Sequence, residues 1–250
     1  MVSKSKIKLV RSLERKKYRD ELQLFVAEGN KLVADLIHAF ECEWMIAKTS
    51  WLATQGNLSV KEIELAEDND IDKISLLKNP QDVLAVFKRP IYKLEEINPD
   101  NQLILALDGV QDPGNLGTII RIADWFGIEQ IICSLDTADA FSPKTVQASM
   151  GALARVKVHY TELNKYLISN DIPIYGTFLN GDNLYNKDLS KNGIIVLGNE
   201  GQGIRPDVEK IINQRLYIPN YPIERETSDS LNVATAAAII CAEFRRRCCY

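Results

Sequence analysis

A chain of 250 residues, 46% hydrophobic and 26% charged, can bury one large core or two modest ones. No apolar run approaches the ~20 residues needed to span a bilayer, and the N-terminal MVSKSKIKLVRSLERKKYRDE lacks the apolar centre of an export signal, so no membrane role is expected. Net charge is −4, which excludes a uniformly basic nucleic-acid binder, yet the distribution is uneven. Residues 1–20 hold Lys4, Lys6, Lys8, Arg11, Arg15, Lys16, Lys17 and Arg19 against only Glu14 and Asp20, on an otherwise acidic body. Two readings fit this segment: a surface that contacts a polyanion, and a solubilising tail.

In chain order, FVAEG ends a short strand at Gly29, and NKLVADLIHAF places Leu32, Val33, Leu36, Ile37 and Phe40 on one helical face. WMIA, VKEIEL and VLAVF read as further strands with helical segments between. KRPIYKLEEINPDNQ, residues 88–102, has two prolines and few apolar residues. It predicts a boundary near residue 97, separating a small α/β unit, 1–97, from a second unit, 98–250. In the second unit the apolar strands LILAL, QIICS, RVKVHY, PIYGTF and IIVLG alternate with the helical stretches NLGTIIRIADWF, PKTVQASMGAL and RPDVEKII. Nearly continuous apolar strands alternating with helices predict an α/β fold whose parallel sheet is covered on both faces. An alanine-rich helix, SLNVATAAAIICAEFRRR, follows the strand at 216–218, and its final arginines suit its negative C-terminal end. Cys42, Cys133, Cys241, Cys248 and Cys249 show no C-x-x-C, and His38 and His159 stand far apart, so reduced thiols in a cytoplasmic protein and no metal are expected.

Ligands of open parallel sheets bind beyond the carboxyl ends of strands, and three loops there are unusual. In QDPGNLGTIIRIADWFG, Asp112-Pro113-Gly114 makes a turn and Asn115 is a candidate N-cap, while Arg121 falls off the buried stripe. Such an arginine either solvates its face or serves a site. VLGNEGQGIRP has neither the Lys-Ser/Thr of a phosphate loop nor a dinucleotide fingerprint, and Glu200 among its glycines would repel a pyrophosphate. Its glycines suit either a tight connection or close main-chain approach to a neutral or cationic ligand. In LYIPNYPIERETSDSLNVATAAAI, Ser228, Asp229 or Ser230 can cap the last helix, which leaves Asn232 unexplained.

Together these segments resemble the three motifs, in order and in register, of the SpoU or TrmH-like branch of the SPOUT RNA methyltransferases, and KKYRDELQLFVAEGNKLVADLI resembles the substrate-binding domain attached to many members. The resemblance implies a catalytic domain with a deep C-terminal trefoil knot after a small RNA-binding domain. It also implies S-adenosyl-methionine as cofactor, a homodimer with sites near its interface, and methylation of a ribose 2′-hydroxyl in ribosomal or transfer RNA. Asn115 and Arg121 match the polar pair of the first motif, Glu200 the acid of the second, and Ser230 with Asn232 the third. Largely main-chain cofactor contacts would fall on Leu197, Gly198, Gly203, Ile218 and Leu231. The loop NYPIERETSD departs from the family, being longer and free of glycine. A catalytically silent RNA-binding or ribosome-assembly factor of the same fold would lack the Asn115, Arg121, Glu200 and Asn232 set, and all four are present.

Overall fold

The computed structural model describes residues 2–222, 225–226 and 230–249, with the side chains at 68, 248 and 249 outside that description. In chain order the first elements are α1 (Lys4–Ser12), α2 (Lys16–Leu22), β1 (Leu24–Glu28), α3 (Asn30–Leu36), β2 (Cys42–Ala47), α4 (Thr49–Leu52), β3 (Ile63–Leu65), α5 (Asp68–Ile74) and β4 (Val83–Lys88). There follow β5 (Leu103–Asp108), α6 (Pro113–Trp125), β6 (Gln130–Ser134), α7 (Pro143–Ser149), β7 (Lys157–Thr161) and α8 (Leu163–Ile168). The chain closes with β8 (Ile174–Asn183), β9 (Gly193–Gly198), α9 (Pro206–Glu209), β10 (Gln214–Tyr217) and α10 (Val233–Cys249). No helix among the described residues is long and apolar enough to cross a membrane.

Two compact units result: residues 1–91 with 139–155, and residues 92–138 with 156–250. A single cut near residue 97 makes no provision for the return of 139–155 to the first unit. Nor is 88–102 a bare linker, since Ile97 and Leu94 pack into the core of the second unit.

The first unit has a sheet of order β1-β4-β2-β3, antiparallel except for the β2–β3 pair. β1, β2 and β4 are largely apolar and buried on both faces, whereas the edge strand β3 is exposed at Ile63 and Leu65. Val26, Trp44, Ile46, Leu84 and Val86 meet Val10 and Leu13 of the α1 region and Ile71 and Ile74 of α5. On alternate residues Phe25 stacks on its register partner Phe87 at 5.4 Å. Phe141, from the returning segment, lies 4.9 Å from Phe25.

Residues 2–20 are therefore no tail. Ser3 caps α1 by accepting the Lys6 N–H, and Val2, Val10 and Leu13 are buried. The returning segment is held by an ion pair at 2.7 Å between Arg19, only 3% exposed, and Asp139. The Arg19 guanidinium also donates to the Leu13 carbonyl, and the second Asp139 oxygen accepts the Phe141 N–H. The predicted helix over 143–153 stops at Ser149 because Met150 and Gly151 take left-handed backbone angles, and a Cβ at Gly151 would press on Asp35.

The second unit has a six-stranded sheet, parallel throughout, of order β10-β8-β9-β5-β6-β7. The order departs from β5 in both directions, so the switch point lies between β5 and β9, where Asp108 and Gly198 form the last register pair. α6 and α10 pack together, and Arg245 of α10 donates to the Phe126 and Gly127 carbonyls at the C-terminal end of α6. Arg246 and Arg247 instead clasp Glu243 one turn back, holding its carboxyl down at about 2.

Because Asp139→Ala leaves the Arg19 charge buried and unpaired, it is expected to destabilise the first unit by ~3–5 kcal/mol. Phe141→Ala, which takes one ring out of the cluster with Phe25, Phe40 and Phe87, should cost ~3–5 kcal/mol as well. Urea unfolding followed by fluorescence of Trp44 and Trp51, in a Trp125→Phe background, checks both.

Candidate active site

At the switch point the loop after β9 closes on itself. Asn199 and Gly203 exchange both backbone hydrogen bonds at 2.9 Å, and the Asn199 side-chain oxygen accepts the Gly201 and Gln202 N–H groups. Gly203 has φ of +72°, and a Cβ at Gly198 would collide with the backbone of Gly203 and Ile204. Those two glycines thus serve the loop's own return as well as any ligand. The loop is fastened to the neighbouring strand end at both of its ends. Asn199 Nδ2 donates to the Gly109 carbonyl at 2.7 Å, and the buried Asp108 carboxylate accepts the Arg205 N–H at 2.8 Å and its Nε at 2.7 Å. Asp108 raises the Arg205 pKa above its ordinary value, chiefly through this hydrogen bonding.

The closed loop presents Glu200 at its exposed apex. Glu200 Oε1 accepts from Asn115 Nδ2 at 2.9 Å, and Asn115 Oδ1 accepts from Asn232 Nδ2 at 3.0 Å. Asn232 Oδ1 in turn accepts the Ala234 and Thr235 N–H groups. The backbone donors dictate the direction of the whole chain: with Asn232 Oδ1 taken as acceptor, its amide nitrogen must donate to Asn115, whose own nitrogen must then donate to Glu200. The relay terminates on an acceptor, the role of an ionised carboxylate.

Two capping expectations change here. Asp112, not Asn115, caps α6: its side chain accepts the Asn115 N–H and Pro113 fills the first helical position, which leaves the Asn115 side chain free to project. Asn232 caps α10, so capping explains it after all, while Ser230 lies before the helix, exposed and without a side-chain hydrogen bond among the described residues. Ser228 and Asp229 lie outside the described residues.

The other expected residues are placed as follows. Arg121 stands on the exposed face of α6, outside the relay and without an ion pair among the described residues. Leu197 is fully buried in β9, main chain and side chain alike, and presents no surface to a ligand, whereas Gly198 and Ile218 are half-buried and Gly203 and Leu231 exposed. Of the basic set, Lys4, Lys8, Arg11, Arg15, Lys16 and Lys17 are exposed in the first unit. Arg19 is buried against Asp139 and leaves that set, because its guanidinium is already paired and shielded from solvent. Lys6 is engaged by Glu62 and Glu64 at 2.5 and 2.9 Å and lies over the Trp44 ring. Asp108, Asn199 and Arg205 escaped the reading of the sequence; the signal for Asp108 was a lone carboxylate ending the apolar run LILALD.

The donor set fits an adenosyl sulfonium better than a phosphate. Asp108, Asp136 and Glu200 gather at the ends of the strands and their loops, and the Arg205 guanidinium is engaged by the first two. A cation is favoured there and a pyrophosphate repelled. No group of three or more His, Cys, Asp or Glu among the described residues is placed to hold a metal ion.

Comparison with known proteins agrees with this geometry. A 23S rRNA (guanosine(2553)-2′-O)-methyltransferase of Bacillus subtilis is 31% identical over 96% of both chains. The solved structure of a TrmH-family protein from Porphyromonas gingivalis is 43% identical over 99% of both chains, with a TM-score of 0.87. An AdoMet-bound rRNA methyltransferase from Sinorhizobium meliloti is 31% identical, covers 99% of this chain and 97% of that one, and gives a TM-score of 0.84. Residues 4–85 match the MRM3-like substrate binding domain. Residues 102–242, which hold the switch point, the closed loop and the whole polar relay, match the SpoU rRNA methylase family, and the chain belongs to it.

Proposed function

We propose that this chain transfers the methyl group of S-adenosyl-methionine to a ribose 2′-hydroxyl of ribosomal RNA, acting as a homodimer in the cytoplasm. The relay Glu200–Asn115–Asn232 carries the reading, because it draws one polar side chain from each of three distant segments to the end of the sheet where ligands bind. The rRNA substrate named for the Bacillus subtilis relative and the AdoMet-bound state of the Sinorhizobium meliloti structure support it. The trefoil knot belongs to the same proposal, supported by likeness in fold to these proteins over 99% of the chain.

When bound, the cofactor supplies an electrophilic methyl carbon on a sulfonium. Main chain at Gly198, Gly203, Ile218 and Leu231 would hold it, and Glu200 and Asn232 keep Asn115 in one orientation. Ser230, exposed two residues before Asn232, is open to contact with the RNA substrate. Arg121 is no base, since a guanidinium keeps its proton. It binds the phosphate beside the target ribose and orients the hydroxyl, whose proton passes to a phosphate oxygen. Such positioning contributes ~7–11 kcal/mol to a displacement of this type.

α6 also supports the dimer. Thr118, Arg121 and Trp125 share its exposed face, and an indole 84% exposed is the apolar feature expected of an interface. In the first unit, Lys4, Lys8 and Arg11 follow one another at four- and three-residue steps along α1, opposite the buried Val10. This row, with Arg15, Lys16 and Lys17, gives RNA affinity without sequence choice.

With tritiated S-adenosyl-methionine and unmodified ribosomal RNA, label is expected on a ribose 2′-oxygen, and Arg121→Ala should lower kcat by ~10²-fold or more; retention of activity within a few-fold refutes the role given to Arg121. The triple change Lys4→Ala, Lys8→Ala and Arg11→Ala should weaken RNA binding and reduce the slope of log K against log salt by about one for each phosphate no longer neutralised. Lys6→Ala should leave that slope alone. Trp125→Glu should shift sedimentation from dimer to monomer.

A further inference from the structure

We infer that the Asp108–Arg205 pair is a positioning clamp, which fixes the loop Asn199–Ile204 in the shape that receives the cofactor and so governs cofactor affinity more than the chemical step. The inference rests on the methyl-donor reading above but concerns residues that none of the three motif matches singled out.

The geometry is a two-point grip on one residue. Asp108 takes the main-chain N–H of Arg205 with one oxygen and its side-chain Nε with the other, so both the path and the side chain of the residue that closes the loop are set. The carboxylate side chain is fully buried, whereas the arginine is partly open at 41%. The grip stands at the last register pair of β5 and β9, so the loop leaves at Gly198 and returns at Arg205 against the same strand end. A third strand end joins in: Arg205 reaches Asp136 at 3.5 Å, and the Ser134 hydroxyl donates to Asp136 while accepting the Gly109 N–H. The ends of β5, β6 and β9 are thereby tied around one guanidinium.

Stability alone is a poor account of such a pair. A buried carboxylate is costly to desolvate, and an apolar pair of similar volume would hold two strands at least as well. What an apolar pair cannot do is seize a main-chain N–H. Asp108 does so at the point where the loop must end for Gly203 to keep its bond to Asn199 and for Glu200 to reach Asn115.

Isothermal titration with S-adenosyl-methionine and steady-state kinetics on the full-length protein test this with Arg205→Met, Arg205→Lys and Asp108→Asn. Arg205→Met is expected to raise both Kd and KM for S-adenosyl-methionine tenfold or more, while kcat at saturating cofactor falls by no more than threefold. Arg205→Lys, which unlike Arg205→Met keeps a side-chain cation for Asp108, should restore most of the affinity. Asp108→Asn keeps the shape at 108 without the charge and should raise Kd at least threefold. Wild-type affinity in Arg205→Met, or kcat and affinity falling together with no rescue by lysine, overturns the clamp. If wild-type protein gives no heat with S-adenosyl-methionine, the methyl-donor reading fails by itself. The clamp is then judged by hydrogen exchange, which should quicken at the Gln202 and Gly203 amides in Arg205→Met; unchanged exchange there overturns it.

Discussion

Asp108 and Gly198 face each other where β5 and β9 end together, and most of the site descends from that register pair. Parallel strands deliver their C-terminal loops to the same end of a sheet, and a reversal of strand order leaves a gap between two of those loops. Here the loop after β5 leads into α6 and the loop after β9 carries Glu200. A slip of one residue between the two strands would turn Asp108 to the opposite face and separate its carboxylate from Arg205.

The relay shows how a few backbone groups discipline side chains far away. The first N–H groups of α10 have no partner within the helix, and Asn232 supplies one. That local need orients an amide, which orients Asn115, which presents a donor to Glu200. A cap that would be ordinary at any helix start thus becomes the first link of a polar chain joining three segments. Acidity at this end of the sheet follows the same economy of parts: carboxylates that fasten loops also make the region hospitable to a sulfonium and hostile to a pyrophosphate.

The first unit shows the reverse relation between sequence and function. Its basic N-terminal residues serve two ends at once, since α1 buries Val10 against the sheet while its other side holds Lys4, Lys8 and Arg11 in water. Arg19 belongs to the fold, pinning a segment borrowed from the connection between β6 and β7. Counting cations could not separate those duties, because burial and pairing depend on Asp139, 120 residues away.

The sequence by itself determined the parallel sheet, through apolar runs that only double-sided burial explains, and the family, through three motifs in register. It also grouped Asn115, Arg121, Glu200 and Asn232, of which the relay joins all but Arg121. What it could not determine was who holds whom. The relay from Asn232 through Asn115 to Glu200 and the grip of Asp108 on Arg205 depend on strand register and main-chain direction, which no spacing along the chain encodes. Tertiary structure decided these because a hydrogen bond needs its two partners within about 3 Å, and for residues 85 to 117 positions apart only the packed sheet brings them there. The same cause explains the borrowed segment 139–155: a helix pattern between two strands reads alike whether it covers its own sheet or completes another core.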